Sequence, residues 1–268
     1  KELAPQAWVI NYTNPMSLCL KTLYRVFPEI KAFGCCHEVF GTQDVLIKML
    51  QTKLGVKEVT RDELRINVLG INHFTWIDAA SYRGIDLFPL YREYVDENYE
   101  NGIEGEGEEN WRNNVFKSAQ RVKFDLFKRY GLIAAAGDRH LAEFLPSSWY
   151  LKDLETVKRW KFRLTTVDFR IKRQEELELK RKRMINGEEE IKLEASGEEG
   201  VRQIKALLGL GDVITNVNLP NRGQMSDMPS NAVVETNALF TRDRVQPVLA
   251  GAFPPDVQQL TIRHVWNQ

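Results

Sequence analysis

The sequence has no excess of either charge and no long apolar run. Its 268 residues include 37 lysines and arginines and 37 aspartates and glutamates, so the formal net charge is zero. A protein that follows nucleic-acid phosphates needs a basic surplus, which this chain does not have. No apolar run approaches the roughly 20 residues of a membrane-spanning helix, and no charged and then apolar leader opens the chain. We therefore expect neither nucleic acid nor a membrane among its partners.

Cysteines are also scarce, and two of the three are adjacent. They are Cys19, Cys35 and Cys36, whereas small secreted domains carry even numbers of well-spaced cysteines that form disulfides. Such cysteines are typical of reduced thiols, so we predict a cytoplasmic protein. The metal-binding motifs CxxC and HExxH are missing as well, so any metal site must be assembled from residues far apart in the sequence.

Strands alternate with helices over the first 80 residues. The predicted strands are 8–12, 32–36 and 65–69, and apolar residues at helical spacing lie between them. This alternation predicts a largely parallel sheet. Thr42 is expected to cap the second helix and Gly55 to end it.

Beyond residue 80 the pattern becomes mainly helical. We predict a long amphipathic helix over 111–130, a solvent-exposed helical region with both charge signs over 151–194, and a further helix over 196–210. Strands are expected over 213–219 and 232–236.

The start of the chain also predicts something about its extent. Residue 1 is Lys, and strand 8–12 is apolar enough to be a buried strand. Because a buried strand needs neighbours on both sides, we expect the chain to be a fragment whose N-terminal part is missing.

Polar residues follow the three predicted strands. Asn14, the pair Cys36-His37 and the pair Asn72-His73 each come at or just after the carboxyl end of a strand. Because ligands of open parallel sheets bind beyond these ends, we expect the side chains to meet in one crevice.

Some of these residues have the chemistry for catalysis. Cys36 and His73 are candidate metal ligands, since a thiolate and an imidazole suit a borderline divalent ion; the alternative is a buried thiol and a structural histidine. His37 is a candidate proton donor near neutral pH, or else a surface residue. Asp138 or His140 is a candidate general base, with a turn or helix cap as the alternative for Asp138.

Three motifs, in order and spacing, resemble the central part of glycoside hydrolase family 4. They are residues 11–16 (NYTNPM), 34–41 (GCCHEVFG) and 70–76 (GINHFTW). The shorter stretches that also fit are 136–140 (AGDRH), 196–198 (SGE) and 218–221 (NLPN). The likeness covers nearly the whole chain and is greatest to the α-galacturonidase branch of that family.

The resemblance implies an α/β fold. It would combine the C-terminal part of a Rossmann-like parallel sheet with an α+β domain like the C-terminal domain of lactate and malate dehydrogenases. Residues 1–15 would be the last strand of a truncated dinucleotide-binding domain, and residues 16–268 a catalytic and substrate domain that is incomplete at its C-terminus. The glycine-rich phosphate loop of the family has no counterpart here, so we expect this segment to bind NAD poorly and to have little activity.

The resemblance also implies NAD and a divalent metal, commonly Mn(II), in place of paired carboxylates. In this scheme NAD oxidises the hydroxyl on sugar carbon 3, a base removes the proton on carbon 2, and the metal stabilises the enediolate. The leaving group departs with acid assistance, water adds, and the ketone is reduced again. The implied activity is hydrolysis of α-glycosides, above all α-D-galacturonides, by a homodimer or homotetramer.

Matched residue by residue, the resemblance assigns roles to the candidates. Cys36 and His73 match the metal ligands, and His37 matches the proton donor. Asp138 matches the carbon-2 base of α-glucosidase-like members. The residues assigned to the substrate are Asn14, Asn72 and Arg139, and Asn14 is also assigned to the cofactor.

The choice of Arg139 follows from the charge of a uronate. A carboxylate favours a guanidinium, which binds it with two hydrogen bonds. Arg139 is next to Asp138 in the sequence, and Arg112 and Arg263 are the other possibilities.

Three alternatives stay open. The first is an α-glucosidase of the same family. The second is an NAD-dependent 2-hydroxy acid dehydrogenase, which shares the strand-Asn-Pro feature but needs no Cys–His metal pair. The third is a carbohydrate-binding or assembly module without activity. Metal dependence and net release of sugar, rather than net formation of NADH, would distinguish the hydrolase from the dehydrogenase.

Overall fold

The computed structural model describes residues 2–191 and 198–268, whose strands form two sheets with helices around them. The strands are β1 (Trp8–Asn11), β2 (Lys31–Gly34), β3 (Leu64–Ile71), β4 (Phe74–Tyr82), β5 (Ile85–Asp86), β6 (Ile133–Ala134), β7 (Val213–Pro220), β8 (Val233–Thr241) and β9 (Arg244–Pro247). The helices are α1 (Met16–Val26), α2 (Glu38–Leu54), α3 (Phe88–Asn98), α4 (Arg121–Tyr130), α5 (Asp138–Phe144), α6 (Ser147–Tyr150), α7 (Leu154–Arg159), α8 (Val167–Ile185), α9 (Gly200–Leu207) and α10 (Pro255–Val265). The architecture is α/β, as predicted.

The first sheet has the strand order β1-β2-β7-β8-β9. β1 and β2 are parallel and are connected through α1, whereas the pairs β2–β7, β7–β8 and β8–β9 are antiparallel. The prediction of a largely parallel sheet is therefore wrong beyond the first two strands. The predicted strand over 65–69 belongs to β3 of the other sheet, because a tight turn rather than a helix follows it.

The second sheet has the order β3-β4-β5, and β6 pairs with β4. β3 and β4 pair antiparallel up to Ile71 and Phe74, so that Asn72 and His73 form the whole turn. β4 is absent from the predicted strands, because most of its residues are buried on both faces and the polar–apolar alternation of a half-exposed strand is weak. The two largest apolar clusters pack against this sheet, one with α5 and α10 and the other with α2 and α3.

Side-chain hydrogen bonds hold the two sheets together. Asn237 of β8 donates to the carbonyl of Ile66 at 2.7 Å, and Asn67 of β3 donates to the carbonyl of Ala250 at 2.9 Å. The first bond fixes β3 beside β8, and the second joins β3 to the segment after β9. The β3–β4 turn consequently lies close to the carboxyl end of β2.

Two helix boundaries differ from the predictions. α2 begins at Glu38, so Thr42 is buried inside the helix and does not cap it, whereas Gly55 ends it with a φ of 65°, as predicted. The segment 111–130 is helical only as α4, because Gln120 has a φ of 62° and a helix cannot continue through this left-handed conformation.

β1 lies at the edge of its sheet. Among the described residues it pairs with β2 alone, Asn11 is buried and the apolar Val9 is 37% exposed. Burial of β1 between two neighbouring strands stays a prediction. β1 and β2 share this sheet, so residues on both sides of the predicted boundary at residue 15 contribute to it; the division into 1–15 and 16–268 stays a prediction.

The charged region after residue 150 contains an exposed helix, as predicted. None of the 19 residues of α8 is buried, and Arg173 and Glu176 form an ion pair at 3.4 Å on its surface. The helix predicted over 196–210 is α9, and residues 196 and 197 lie outside the described residues. Within the described part of the chain, no helix is long and apolar enough to cross a membrane.

Candidate functional site

Three side chains with metal-binding atoms meet where β2 ends, where β3 turns into β4 and where α5 begins. Glu38 is the first residue of α2, His73 lies in the β3–β4 turn, and His140 is in the first turn of α5. One ligand atom of each residue lies within 4.8 Å of the others. We call these three residues the carboxylate–histidine cluster.

The backbone of the turn determines where His73 lies. Its φ of 63° is in the left-handed region, which a type II turn requires at its second central residue. The imidazole stacks on that of His140, with ring centroids 4.2 Å apart and an interplanar angle of 29°. Burial, together with the neighbouring His140, lowers the pKa of His73 to about 4. At neutral pH the ring is therefore uncharged and has a nitrogen lone pair for a metal.

Glu38 is held from two sides. Its Oε2 accepts a hydrogen bond of 2.7 Å from the backbone N–H of Gly137, and its Oε1 lies 3.6 Å from Nε2 of His140. Burial alone would raise the pKa of Glu38, but His140, the Gly137 N–H and His73 together lower it. Glu38 is thus an ionised carboxylate beside two imidazoles, an arrangement that can bind a divalent cation.

Cys36 lies two residues before Glu38 in the sequence and is not one of the three members of this cluster. It is buried among Met16, Leu20, Ala32 and Val233. Burial, and then the nearby Glu235, raise the pKa of its thiol. The thiol is therefore protonated unless a metal displaces its proton.

A second polar group, the buried amide network, lies behind Cys36. It consists of Glu235 on β8, Asn216 on β7 and Asn72 in the β3–β4 turn. Asn216 donates to Oε1 of Glu235 at 2.7 Å and to the carbonyl of Cys36 at 3.3 Å, and Asn72 donates to Oε2 of Glu235 at 3.4 Å. Glu235 is 1% exposed, and burial raises its pKa to about 7.

Asn14 lies in the turn between β1 and α1. The peptide bond between Asn14 and Pro15 is cis, and the side-chain oxygen of Asn14 accepts a hydrogen bond of 3.3 Å from the N–H of Met16. Met16 in turn contacts Asn72, whose amide nitrogen lies 3.7 Å from its sulfur. The three strand ends therefore lie in one region, as expected, although they do not belong to one parallel sheet.

His37 lies at the rim of the site. Its side chain is 67% exposed, and its Nδ1 lies 3.2 Å from Oε1 of Glu198. This position is open to a ligand, so it is compatible with a proton donor and equally with a surface histidine.

Asp138 is fully buried at the start of α5. Its carboxylate accepts hydrogen bonds from the backbone N–H groups of Val122, at 3.3 Å, and Lys123, at 3.1 Å. It therefore binds the N-terminal end of α4, which is the geometry of the capping alternative. Burial raises the pKa of Asp138 to about 6, and its assignment as a base stays a prediction.

Arg139 is half-buried beside the cluster. Its Nη1 donates to the carbonyl of Val115 at 3.1 Å, and its guanidinium lies 5.2 Å from the ring centroid of Phe116. Its Nη2 lies 3.3 Å from Nε2 of His140. Some of the N–H donors of Arg139 are already used within the protein. The side chain also lines a cavity.

That cavity has a volume of about 1260 Å³ and opens beside the N-terminus of α2. His37, Glu38 and Gly137 line it, so it borders the carboxylate–histidine cluster. The cations in its wall are Lys48, Arg61, Lys117, Lys123 and Arg139, and the other acids are Asp44, Glu106, Glu109 and Glu198. A cavity of this size can hold a small sugar chain.

Two residues of the site were not among the sequence candidates. Glu235 is the one charged residue of β8, VVETNALFT, and a charge within such a strand is a signal that was available. Lys123 gave no such signal, because a lysine in the first turn of an amphipathic helix is ordinarily exposed. Its burial depends on α2 packing over it, which local sequence does not show.

Comparison with protein families gives two matches. The family 4 glycosyl hydrolase C-terminal domain matches residues 68–268. The family 4 glycosyl hydrolase description matches residues 1–52. Together they cover nearly all of the chain, including the turn that carries His73 and the loop that carries Cys36.

Individual proteins agree with these matches. The α-galacturonidase of Thermoanaerobacterium saccharolyticum is 60% identical over 271 residues, covering 100% of this chain and 58% of that protein. The α-galacturonidase of Bacillus subtilis is 56% identical over 268 residues, covering 100% of this chain and 59% of that protein. The chain thus spans somewhat more than half the length of the curated relatives it matches.

Solved structures show the same fold. The crystal structure of the putative glucosidase lplD from Bacillus subtilis superposes with a TM-score of 0.93 at 55% identity, covering 99% of this chain and 60% of that one. A 6-phospho-α-glucosidase from gut microorganisms, solved in complex with NAD and Mn²⁺, has a TM-score of 0.74 at 17% identity, covering 98% of this chain and 57% of that one. The predicted fold class is confirmed.

Proposed function

The chain belongs to the family 4 glycosyl hydrolases, and from this we propose that the protein hydrolyses α-glycosides, with α-D-galacturonides as its substrates. Identities of 56–60% to α-galacturonidases over the full chain support this substrate class. The observation that carries the proposal is the carboxylate–histidine cluster beside a sugar-sized cavity.

The donor atoms fit a divalent metal. We propose that Cys36 and His73 bind Mn(II), with the carboxylate of Glu38 and the imidazole of His140 beside it. The uncharged ring of His73 and the ionised Glu38 support this assignment. Nδ1 of His140 is buried, makes no hydrogen bond with the described residues and lies 3.6 Å from Oε2 of Glu143. Bound there, a divalent ion supplies stabilisation of negative charge on neighbouring sugar oxygens.

NAD is proposed as the second cofactor, as in the solved relatives named with it; it supplies reversible oxidation of a sugar hydroxyl. In the described residues, neither the turn between β1 and α1 nor that between β2 and α2 carries a glycine-rich phosphate loop. The residues present do not fit a dinucleotide phosphate, so we derive no step through NAD. A contact with Asn14 remains part of the proposal.

Two side chains are proposed to move protons. Glu198 holds Nδ1 of His37 at the cavity rim, so Nε2 is the nitrogen that would protonate the leaving group. Asp138 is the proposed base for the proton on sugar carbon 2, and its pKa of about 6 suits proton acceptance near neutral pH. Its action requires release of the two backbone N–H groups that it now binds.

The remaining proposed contacts concern the substrate. Asn14 and Asn72 would bind sugar hydroxyls, and Arg139 would contact the substrate from the cavity wall. The amide nitrogen of Asn72 already donates to Glu235 and contacts the sulfur of Met16, so its side-chain oxygen is the atom that would accept a hydrogen bond from a sugar hydroxyl. A homodimer or homotetramer is also proposed, to be tested by a mass measurement in solution.

The test uses the complete gene product with NAD, Mn(II) and a reductant. We expect it to release galacturonate from an α-galacturonide without net formation of NADH, and to lose this activity on chelation. Cys36→Ser should abolish hydrolysis, whereas the matched control Cys35→Ser should not, because Cys35 faces Gln203 on the other side of the strand. Net NADH formation without sugar release would instead establish a dehydrogenase, and sugar binding without turnover a binding module.

A further inference from the structure

Lys123 is a buried cation that the proposed reaction does not use. It is on α4, is 2% exposed, and is among the largest fully buried side chains of the described residues. It also lines the cavity beside the carboxylate–histidine cluster. A lysine is very rarely buried unless something compensates its charge.

The described residues accept only part of the hydrogen bonds that the ammonium group of Lys123 can donate. An ammonium has three N–H donors, and the hydrogen bond it makes within the described chain is to Oγ1 of Thr42, at 2.8 Å. No carboxylate oxygen of those residues lies within 4.0 Å of Nζ. Asp138 on α5 favours the charged form of Lys123 more than Glu38 and Asp44 do, but its carboxylate accepts hydrogen bonds from the backbone N–H groups of Val122 and Lys123.

The other cations of the cavity wall differ from Lys123. Lys117 is paired with Glu109 at 2.5 Å, and Arg61 lies over the ring of Phe40 at 4.2 Å and 3.9 Å from Glu199. Lys48 is exposed, so water solvates its charge. Arg139 already binds a carbonyl and an aromatic ring.

We propose that Lys123, oriented by Thr42, binds the carboxylate of the substrate and gives the site its preference for an acidic sugar. This inference rests on the proposed function and names the residue that would recognise the uronate. A carboxylate in the cavity would accept the N–H groups that Thr42 leaves free and would replace, at close range, the water that burial has removed. The burial that makes the free ammonium costly makes its pairing with an anion strong.

The experiment measures binding and needs no turnover. Calorimetry with free galacturonate and with free galactose compares two sugars that differ by the carboxylate. For the complete protein we expect galacturonate to bind at least tenfold more tightly. Lys123→Met, which keeps the length of the side chain, should remove this preference and leave galactose affinity within about twofold.

Two further variants locate the effect. Lys117→Met removes a cation of the same cavity that already has a partner, and it should keep the preference. Lys123→Arg retains the charge and should keep a preference above that of Lys123→Met. If the thermal midpoint of Lys123→Met is not lower than that of the unmodified protein, unfolding does not explain the loss of preference. Replacing buried charged groups by apolar side chains of similar volume is often neutral or stabilising.

Several outcomes would overturn the proposal. The first is equal affinity of the unmodified protein for both sugars, and the second is an unchanged preference for galacturonate in Lys123→Met. The third is loss of this preference in Arg139→Met while Lys123→Met keeps it. The hydrolysis test is separate: a protein that prefers galacturonate through Lys123 but releases no sugar contradicts the proposed function and leaves this inference intact. A protein that hydrolyses galacturonides while Lys123→Met keeps the preference contradicts this inference alone.

Discussion

A partly buried carboxylate, Glu38, and a fully buried one, Glu235, lie near the carboxyl end of β2, and their neighbours shift their pKa values in opposite directions. Glu38 faces imidazoles and the Gly137 N–H, and its pKa is lowered. Glu235 faces the amides of Asn216 and Asn72, and burial raises its pKa to about 7. Desolvation raises the pKa of both groups, so the opposite net shifts come from the neighbours of each one. The imidazoles and the Gly137 N–H keep Glu38 ionised, whereas the neutral amides around Glu235 do not fully offset its desolvation.

The comparison suggests a division of work. The carboxylate–histidine cluster borders the cavity and has the donor set for a cation. The buried amide network reaches both the Cys36 carbonyl and the Asn72 side chain, so it holds the loop and the turn that carry the proposed metal ligands. The carboxylate–histidine cluster would bind the metal, and the buried amide network would position its ligands.

The largest expected effect is on metal binding. His73→Ala removes the imidazole that both stacks on His140 and supplies a lone pair, so we expect Mn(II) affinity to fall on the order of 100-fold or more. Titration of Mn(II) followed by electron paramagnetic resonance measures this directly. His264→Ala is the matched control, because that histidine bonds the carbonyl of Phe144 outside the cluster. Equal affinity in His73→Ala would remove the cluster from the metal site.

The next effect concerns stability and pH. Because the pKa of Glu235 is higher in the folded state than its ordinary value of 4.5, the folded protein holds a proton that the unfolded chain releases between pH 4.5 and about 7. Stability should therefore fall as pH rises through this window, by on the order of 3 kcal/mol at about 1.4 kcal/mol per pKa unit. Glu235→Gln should abolish the fall, as measured by urea denaturation at pH 5 and pH 8.

Glu38→Gln is the matched control for that measurement. The pKa of Glu38 is lowered, so its contribution to stability is present above pH 4.5 and is lost only as pH falls below that value. The decrease in stability between pH 5 and pH 8 should persist in Glu38→Gln. If Glu38→Gln abolished it and Glu235→Gln did not, the contrast between the two carboxylates would be reversed.

The smallest expected effect is a pH dependence of the galacturonate preference, which comes from the buried cation Lys123. Burial lowers the pKa of Lys123 to about 8, against the raising influence of Asp138 on α5 and of Glu38 and Asp44 on α2. The carboxylate of galacturonate stays ionised above pH 5, so its preference over galactose should decrease severalfold between pH 7 and pH 9.5 as Lys123 loses its proton. Calorimetry at both values checks this. Lys123→Arg should show no decrease, because a guanidinium keeps its proton.

Local patterns predicted some of the fold well. The helical spacing before Gly55 and the polar residues at the ends of β1 and β2 needed only a few neighbouring positions, and the structure has both. β4 was missed because burial on both faces weakens the alternation by which such a strand is recognised. The start of α4 was missed because a left-handed Gln120 interrupts a pattern that otherwise looks helical.

Local sequence patterns predicted the site only in part, because its contacts join residues that are far apart in the sequence. Cys36 and His73 could be named as candidates from their positions after strands, and their proposed roles await the metal titration. The stacking of His140 on His73, and the burial of Lys123 beneath α2, join residues 67 and 81 positions apart in the sequence. Contacts of that kind depend on packing between elements, which no local pattern contains.

The two-residue turn between β3 and β4 has a consequence for how this protein can change over evolution. Side chains alternate between the faces of a hairpin, so one residue added to or removed from the turn would shift the pairing and carry the imidazole of His73 away from His140. Substitutions nearby alter single contacts, but a change in loop length alters all of them together. Insertions and deletions should therefore be selected against at this loop far more strongly than on the solvent-exposed α8, where an extra residue disturbs no buried contact.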